Sequence, residues 1–113
     1  MNEAIKTLKQ WIDDSDNIVF FGGAGVSTES GIKDFRSVDG LYHMKFKYPP
    51  ETMLSHSLFE SHTEEFYNFY RNQLMPPEDI QPNTAHLRLA QLEQEGKLQA
   101  IVTQNVDGLH EKA

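Results

Sequence analysis

Ile5, Leu8, Trp11 and Ile12 recur at three- and four-residue spacing with Lys6, Lys9, Asp13 and Asp14 between them, a period that predicts an amphipathic helix over residues 3–14. Ser15-Asp16-Asn17 ends it. The unbroken apolar run Ile18-Val19-Phe20-Phe21 follows and predicts a short strand buried on both faces. Gly22-Gly23-Ala24-Gly25 comes next, so a glycine turn leads into a short helix from about Ala24 to Ser30, with Gly31 as its C-cap. Residues 31–58 carry Gly40, Pro49, Pro50 and scattered aromatics without a period, which reads as a long loop with short helical pieces. Ser61 and Glu64 have capping-box spacing, and Phe66, Phe69, Tyr70 and Leu74 trace one face of the helix they would open, closed by Pro76-Pro77. Asn83 can cap a further helix from Thr84 to about Glu95 that turns Ala85, Leu89 and Leu92 inward and stops at Gly96. Ala100 to Thr103 reads as a second buried strand.

Two brief apolar strands, each preceded by a helix and followed at once by a polar motif, predict an α/β fold with a parallel sheet. The carboxyl ends of parallel strands share one edge, where ligands bind in the crevice. GAGVS after the first strand and TQNVDGLH after the second would then face one cleft, and a nucleotide-like ligand is expected there.

Composition narrows the choice of partners. The chain has 113 residues, enough for one modest core, and a net charge of −7 that leaves no basic stripe for a phosphate backbone, so no nucleic-acid partner is expected. It has no cysteine, hence no thiolate metal site, and a reducing compartment fits. Neither a signal-peptide core nor a membrane-length apolar run is present, which gives a cytoplasmic expectation and no membrane partner. There is no internal repeat.

The glycine turn alone is a weak signal. Gly23-Ala24-Gly25 lets the backbone approach a pyrophosphate, but Thr28 stands where a G-x-G-x-x-G fingerprint needs its third glycine, and no acidic strand end follows at dehydrogenase spacing. The longer stretch GAGVSTESGIKDFRS, with PNTAH at 82–86 and TQNVDGLH at 103–110, resembles the successive signatures of the sirtuins, NAD-dependent protein-lysine deacylases. The resemblance runs over essentially the whole chain. It implies a Rossmann-like parallel sheet, here partial, with a helical insertion, and NAD held in an extended cleft. Residues 1–113 would be the N-terminal part of such a catalytic domain, residues 31–80 supplying the cofactor loop and a helical segment of the small module.

By the same resemblance, Gly23, Ala24, Gly25, Ser27 and Thr28 line the phosphate and ribose region, Arg36 steadies the cofactor loop and the diphosphate, and Phe35 shields the ribose from water. Ile32, Asp34, Val106 and Asp107 form a nicotinamide pocket, while Gln104 and Asn105 bind the ribose hydroxyls and position the water used later in the reaction, Asn105 thereby assisting catalysis. The chemistry motivates such a set, because breaking the nicotinamide–ribose bond requires an immobile cofactor and exclusion of water. Each residue has a plainer reading: Asp34 and Arg36 as a surface ion pair, Phe35 as a core aromatic, Asn105 to Gly108 as a turn. His43, His56 and His62 read as loop or helix-edge residues, His86 as structural to its helix, and His110 as part of its motif rather than a base.

No residue of the chain is assigned as catalytic base. The family's base histidine, followed by glycine, and its zinc-binding cysteines are expected beyond Ala113, so zinc is expected only there and the 113 residues alone are expected to be inactive. Lys33 stands where the family usually has proline and Gly22 where threonine is usual. Tyr67, Tyr70 and Arg71 are out of register with the tyrosine–arginine spacing of relatives that prefer acidic acyl groups, which favours an acetyl-lysine protein or peptide as substrate. The alternative is a non-catalytic NAD- or ADP-ribose-binding fragment; a dehydrogenase half-domain is disfavoured.

Overall fold

The computed structural model describes residues 2–113. Helix α1 (Glu3–Asp13) begins at Asn2, whose side chain accepts the Ala4 N–H at 2.7 Å, and its C-terminal carbonyls are gathered by Lys97, whose ammonium donates to the Ile12, Asp13 and Ser15 oxygens at 3.0–3.2 Å. Strand β1 (Ile18–Gly22) pairs in parallel with β2 (Leu98–Thr103), which starts two residues before the sequence pattern indicates. Val19 lies opposite Ala100, Phe21 opposite Val102 and Gly22 opposite Thr103, with a register shift after Ile18. The two strands are the only sheet among the described residues. Between them run 3-10 turns at Ala24–Ser30 and Leu41–His43, then α2 (Pro50–Met53), α3 (His56–Ser61), α4 (Thr63–Phe69) with a π-turn over Tyr70–Leu74, and α5 (Thr84–Gln94); α6 (Leu109–Lys112) follows β2.

Packing occurs at two centres. Helices α2–α4 enclose Met53, Leu58 and Phe69, backed by Phe46, Tyr48, Leu54, Phe66 and Leu74, with the Phe46 and Phe69 rings edge to face at 4.9 Å. The inner sheet face packs on α5 and α6, where Leu92, Leu98 and Leu109 are buried. The sheet is not covered on both faces. Val19, Phe21 and Val102 point outward at 58, 66 and 48 % exposure, and the apolar stripe of α1, with Trp11 at 66 %, is open as well. The apolar run predicts burial on both faces, and among the described residues only one layer of helices meets it. No helix of the described residues is long and apolar enough to cross a membrane.

Two further expectations are corrected. Ser61 does not open a capping box with Glu64: it closes α3, its hydroxyl donating to the Ser57 carbonyl, and His62 stands at the N-cap of α4 without a side-chain bond. Residues 56–74 are consequently two short helices and a π-turn, yet Phe66, Phe69, Tyr70 and Leu74 still share a packed face. Ala85 is exposed, because α5 turns His86, Leu89 and Leu92 inward instead. The short helix after Gly23 forms at Ala24–Ser30 as expected, with 3-10 geometry, and Gly31 caps it with φ 98°, a left-handed conformation open to glycine.

Candidate functional site

The parallel register brings both motifs to one end of the sheet. Gly22 and Thr103 are partners, so the glycine turn and the TQNVD loop leave side by side, and the Gln104 N–H donates to Gly22 O at 3.3 Å. Two adjoining hollows open there. One, about 250 Å³, is lined by Ala24, Gly25, Asp34, Phe35, Arg36 and Ser37 with Gln104 and Asn105. The other, about 170 Å³, shares Ala24, Phe35, Gln104 and Asn105 and adds Ile32, Lys33, Val106 and Asp107 from the motifs. Its far wall is Leu41, Leu54, Tyr70, Gln73 and Leu74, so the helical module closes the cleft.

The loop that carries Asp34, Phe35 and Arg36 is folded on itself. Leu41 and Tyr42 N–H groups donate to the Asp34 and Phe35 carbonyls at 2.7 Å each, and Gly40 lies where a Cβ would stand 2.6 Å from Asp34 Oδ1 and 2.8 Å from Phe35 O. Asp34 accepts from the Ser37 N–H and hydroxyl, and the Arg36 guanidinium lies 5.3 Å from the Tyr42 ring centroid. No Asp34–Arg36 ion pair forms among the described residues. Phe35 is half-buried against Tyr42, at 5.5 Å between centroids, with its surface on both hollows.

Beneath the cleft floor lies a polar junction. Ser27, wholly buried, donates to Asp107 Oδ2 at 2.7 Å and stands 3.3 Å from His86 Nε2 and 3.4 Å from Asn105 Nδ2. Asn105 Nδ2 also donates to Gly23 O at 2.9 Å, and Asp107 Oδ1 accepts the Leu109 N–H at 2.9 Å. Asn83 caps α5 by accepting from Ala85 and His86 N–H groups, and its amide reaches across to Val26 O at 2.8 Å and Ser30 Oγ at 3.1 Å. His86 returns the cap, its Nδ1 accepting the Asn83 N–H at 3.1 Å. Burial holds the His86 imidazole below the usual histidine value, the His110 ring adding to the effect and the Asp107 carboxylate opposing it. His110 packs edge-on to His86 at 4.8 Å, both its ring nitrogens lacking a partner among the described residues.

Ten of the thirteen sequence-assigned positions therefore reach the cleft wall, and three do not. Gly23 contributes its carbonyl to Asn105, Ser27 is the buried junction, and Thr28 turns its hydroxyl back to Gly25 O at 3.0 Å on the exposed side of its turn. The sequence pattern does not single out Leu41 and Leu54, which lie where apolar positions follow no period, or Gln73, a polar position between Tyr70 and Leu74 that an apolar pattern does not mark; Tyr70 and Leu74 are legible in it only as packing. Among the described residues no group of three or more His, Cys, Asp or Glu side chains is placed to hold a metal ion.

Fold and cleft together define a class: a partial Rossmann-like parallel α/β unit with a helical module, its polar motifs gathered at the strand ends. The Sir2 family profile matches residues 23–113, and the chain belongs to that family. It is 58 % identical over 113 residues to an NAD-dependent protein deacetylase of Clostridium acetobutylicum, covering 98 % of this chain and 46 % of the relative. A second protein of that name, from Clostridium perfringens, is 57 % identical over 115 residues, with 100 % and 47 % covered. A solved Sir2 variant with deacetylated p53 peptide and 3′-O-acetyl ADP ribose superposes with a TM-score of 0.84 at 40 % identity, over 96 % of this chain and 42 % of that one. The chain spans about half the length of the curated relatives it matches.

Proposed function

We propose that the cleft is the nicotinamide and proximal-ribose part of an NAD site, and that the chain serves in an NAD-dependent protein-lysine deacetylase that yields nicotinamide and O-acetyl-ADP-ribose. The observation that carries the reading is the Gly22–Thr103 pairing, which puts two sequence-distant motifs on one cavity. Gly25 supports it, since a Cβ there would meet nothing within 4 Å and its φ is not left-handed, so the chain's own packing gives no reason for a glycine that ligand approach would need. NAD, when bound, would supply a ribose carbon from which nicotinamide departs as the acyl oxygen of acetyl-lysine bonds to that carbon. Ala24 and Gly25 present open backbone to the phosphates, Gln104 and Asn105 offer amides to the ribose hydroxyls, and Phe35 covers the ribose face. Ile32, Val106 and Asp107 line the space for nicotinamide, Arg36 and Asp34 hold the loop, and Ser27 acts from below through Asp107 and Asn105. None of these side chains is a free base placed to take a ribose proton, so deacetylation by the 113 residues alone is not expected, loss of a general base costing on the order of a hundred- to ten-thousand-fold.

Nuclear magnetic resonance titration of the protein with NAD tests the site. Signals of Gly23–Gly25 and of Gln104–Asp107 should move together with one dissociation constant; movement of only one motif, or of neither, overturns the shared cleft. In an enzyme where this chain is joined to the family's remaining half, Phe35→Ala should raise NAD hydrolysis relative to deacetylation of an acetyl-lysine peptide. An equal fall in both rates would remove the shielding role. A non-catalytic NAD-binding role would show the same titration but no deacetylation in the joined enzyme.

A further inference from the structure

The hydrogen bonds at Ser27 have a direction, and a backbone amide sets it. The Asn83 N–H can only donate, so His86 Nδ1 at 3.1 Å must accept. In a neutral imidazole the proton then sits on Nε2, which faces Ser27 Oγ at 3.3 Å and donates to it. Asn105 Nδ2, at 3.4 Å, points a second donor at the same oxygen. With its lone pairs so occupied, the hydroxyl sends its one proton to Asp107 Oδ2 at 2.7 Å, while Leu109 N–H holds the other carboxylate oxygen. The tautomer of one ring thereby orients two residues of the cleft wall.

We propose that His86 is a positioning residue of the cleft: as the neutral Nε2–H imidazole it orients Asp107 and Asn105 through Ser27, and a second proton on the ring releases them and weakens cofactor binding. The affinity half of this proposal rests on the reading of the cleft as an NAD site. A proton on Nδ1 would set two N–H groups against each other at 3.1 Å, breaking the α5 cap and forcing the ring out of line with Ser27. Two titratable groups face the ring: Asp107 from the loop after β2, which favours its charged form, and His110 from α6, which disfavours it. The turn of Ala24–Ser30 and α5 itself present only the uncharged Ser27 and Asn83. The ring is 0 % exposed, and its desolvation outweighs the single carboxylate, so the neutral form is the resting one at neutral pH.

The test uses ¹⁵N-labelled protein from pH 8 downward through the His86 midpoint, which lies below the ordinary histidine value. Long-range ¹H–¹⁵N correlations should show the Nε2–H tautomer of His86 at neutral pH. The Asn105 side-chain amide and the Leu109 N–H should shift with the midpoint of the His86 ring, and calorimetry should show NAD affinity falling roughly ten-fold across that midpoint, a size usual for coupled sites. His86→Gln, whose amide donates but takes up no proton, should bind NAD without that pH dependence. An Nδ1–H tautomer, a titrating ring with Asn105 and Leu109 unmoved, or an unchanged pH profile in His86→Gln would each overturn the proposal. If His86→Gln fails to fold, the tautomer and the co-titration in the unsubstituted protein decide. Absence of NAD binding at every pH overturns the cofactor reading, whereas co-titration of Asn105 and Leu109 in that same sample still supports the positioning role.

Discussion

At the scale of single residues, the loop over the cleft depends on one hydrogen atom. Gly40 is not needed for a left-handed turn, since its φ is −78°; it is needed because Asp34 and Phe35 leave no room for a Cβ. Gly40→Ala should therefore cost about 1–3 kcal/mol as an overpacked contact, lowering the thermal midpoint and opening residues 34–42 to limited proteolysis. His86 carries a second consequence at this scale. Its folded-state pKa lies below the unfolded value of about 6.5. The unfolded chain then binds the extra proton first, so stability contributed by His86 is fully present above about pH 6.5 and is lost as pH falls through the folded value. Urea midpoints measured from pH 8 to pH 5 should decline in the wild type, and the decline should be shallower in His86→Gln.

At the scale of elements, Asn83 does two jobs with the two ends of one amide. Its oxygen caps α5, and its NH₂ ties α5 to the turn that follows β1. Asn83→Asp keeps the acceptor and loses the donors, while Asn83→Ala loses both. A cap is worth about 0.5–2 kcal/mol and each tether bond about 0.5–1.5 kcal/mol. The expected order of stability is Asn, then Asp, then Ala, read as successive falls in the urea midpoint; equal stability of Asn and Asp would mean the tether contributes nothing. The Ser61 region shows how an element pattern misleads: Ser-x-x-Glu has the spacing of a helix start, but the hydroxyl found the carbonyl of the preceding turn first.

At the scale of the molecule, the Cα radius of gyration is 17.1 Å and the principal extents are 51 × 27 × 26 Å. A compact chain of this length would have a radius of about 13 Å. Elongation follows from two packing centres joined through the cleft, with one face of the sheet bare. Val19, Phe21 and Val102 form an apolar face beside two unpaired strand edges, the arrangement that promotes self-association. Val19→Thr with Phe21→Thr keeps β-branched or strand-compatible chemistry and should lower light scattering at a given concentration without changing the far-ultraviolet dichroism. Unaltered scattering would place the sticky surface elsewhere, with the exposed stripe of α1 the next to substitute.

The sequence by itself determined the elements whose cause is local: α1 from its period, the Gly31 and Gly96 stops, the Asn83 cap, and the two apolar strands. It also determined that two motifs end up together, since a parallel pair has only one carboxyl edge. Which strand face is bare was decided by tertiary structure, because an apolar run reads the same whether one layer or two cover it. So were the roles of Ser27 and Thr28, adjacent in sequence and alike in chemistry. The 3-10 twist buries the first against His86 and Asp107 and turns the second to solvent. Hydrogen-bond direction at Ser27 is of the same kind, set by a backbone amide fifty-six residues away that no local pattern contains.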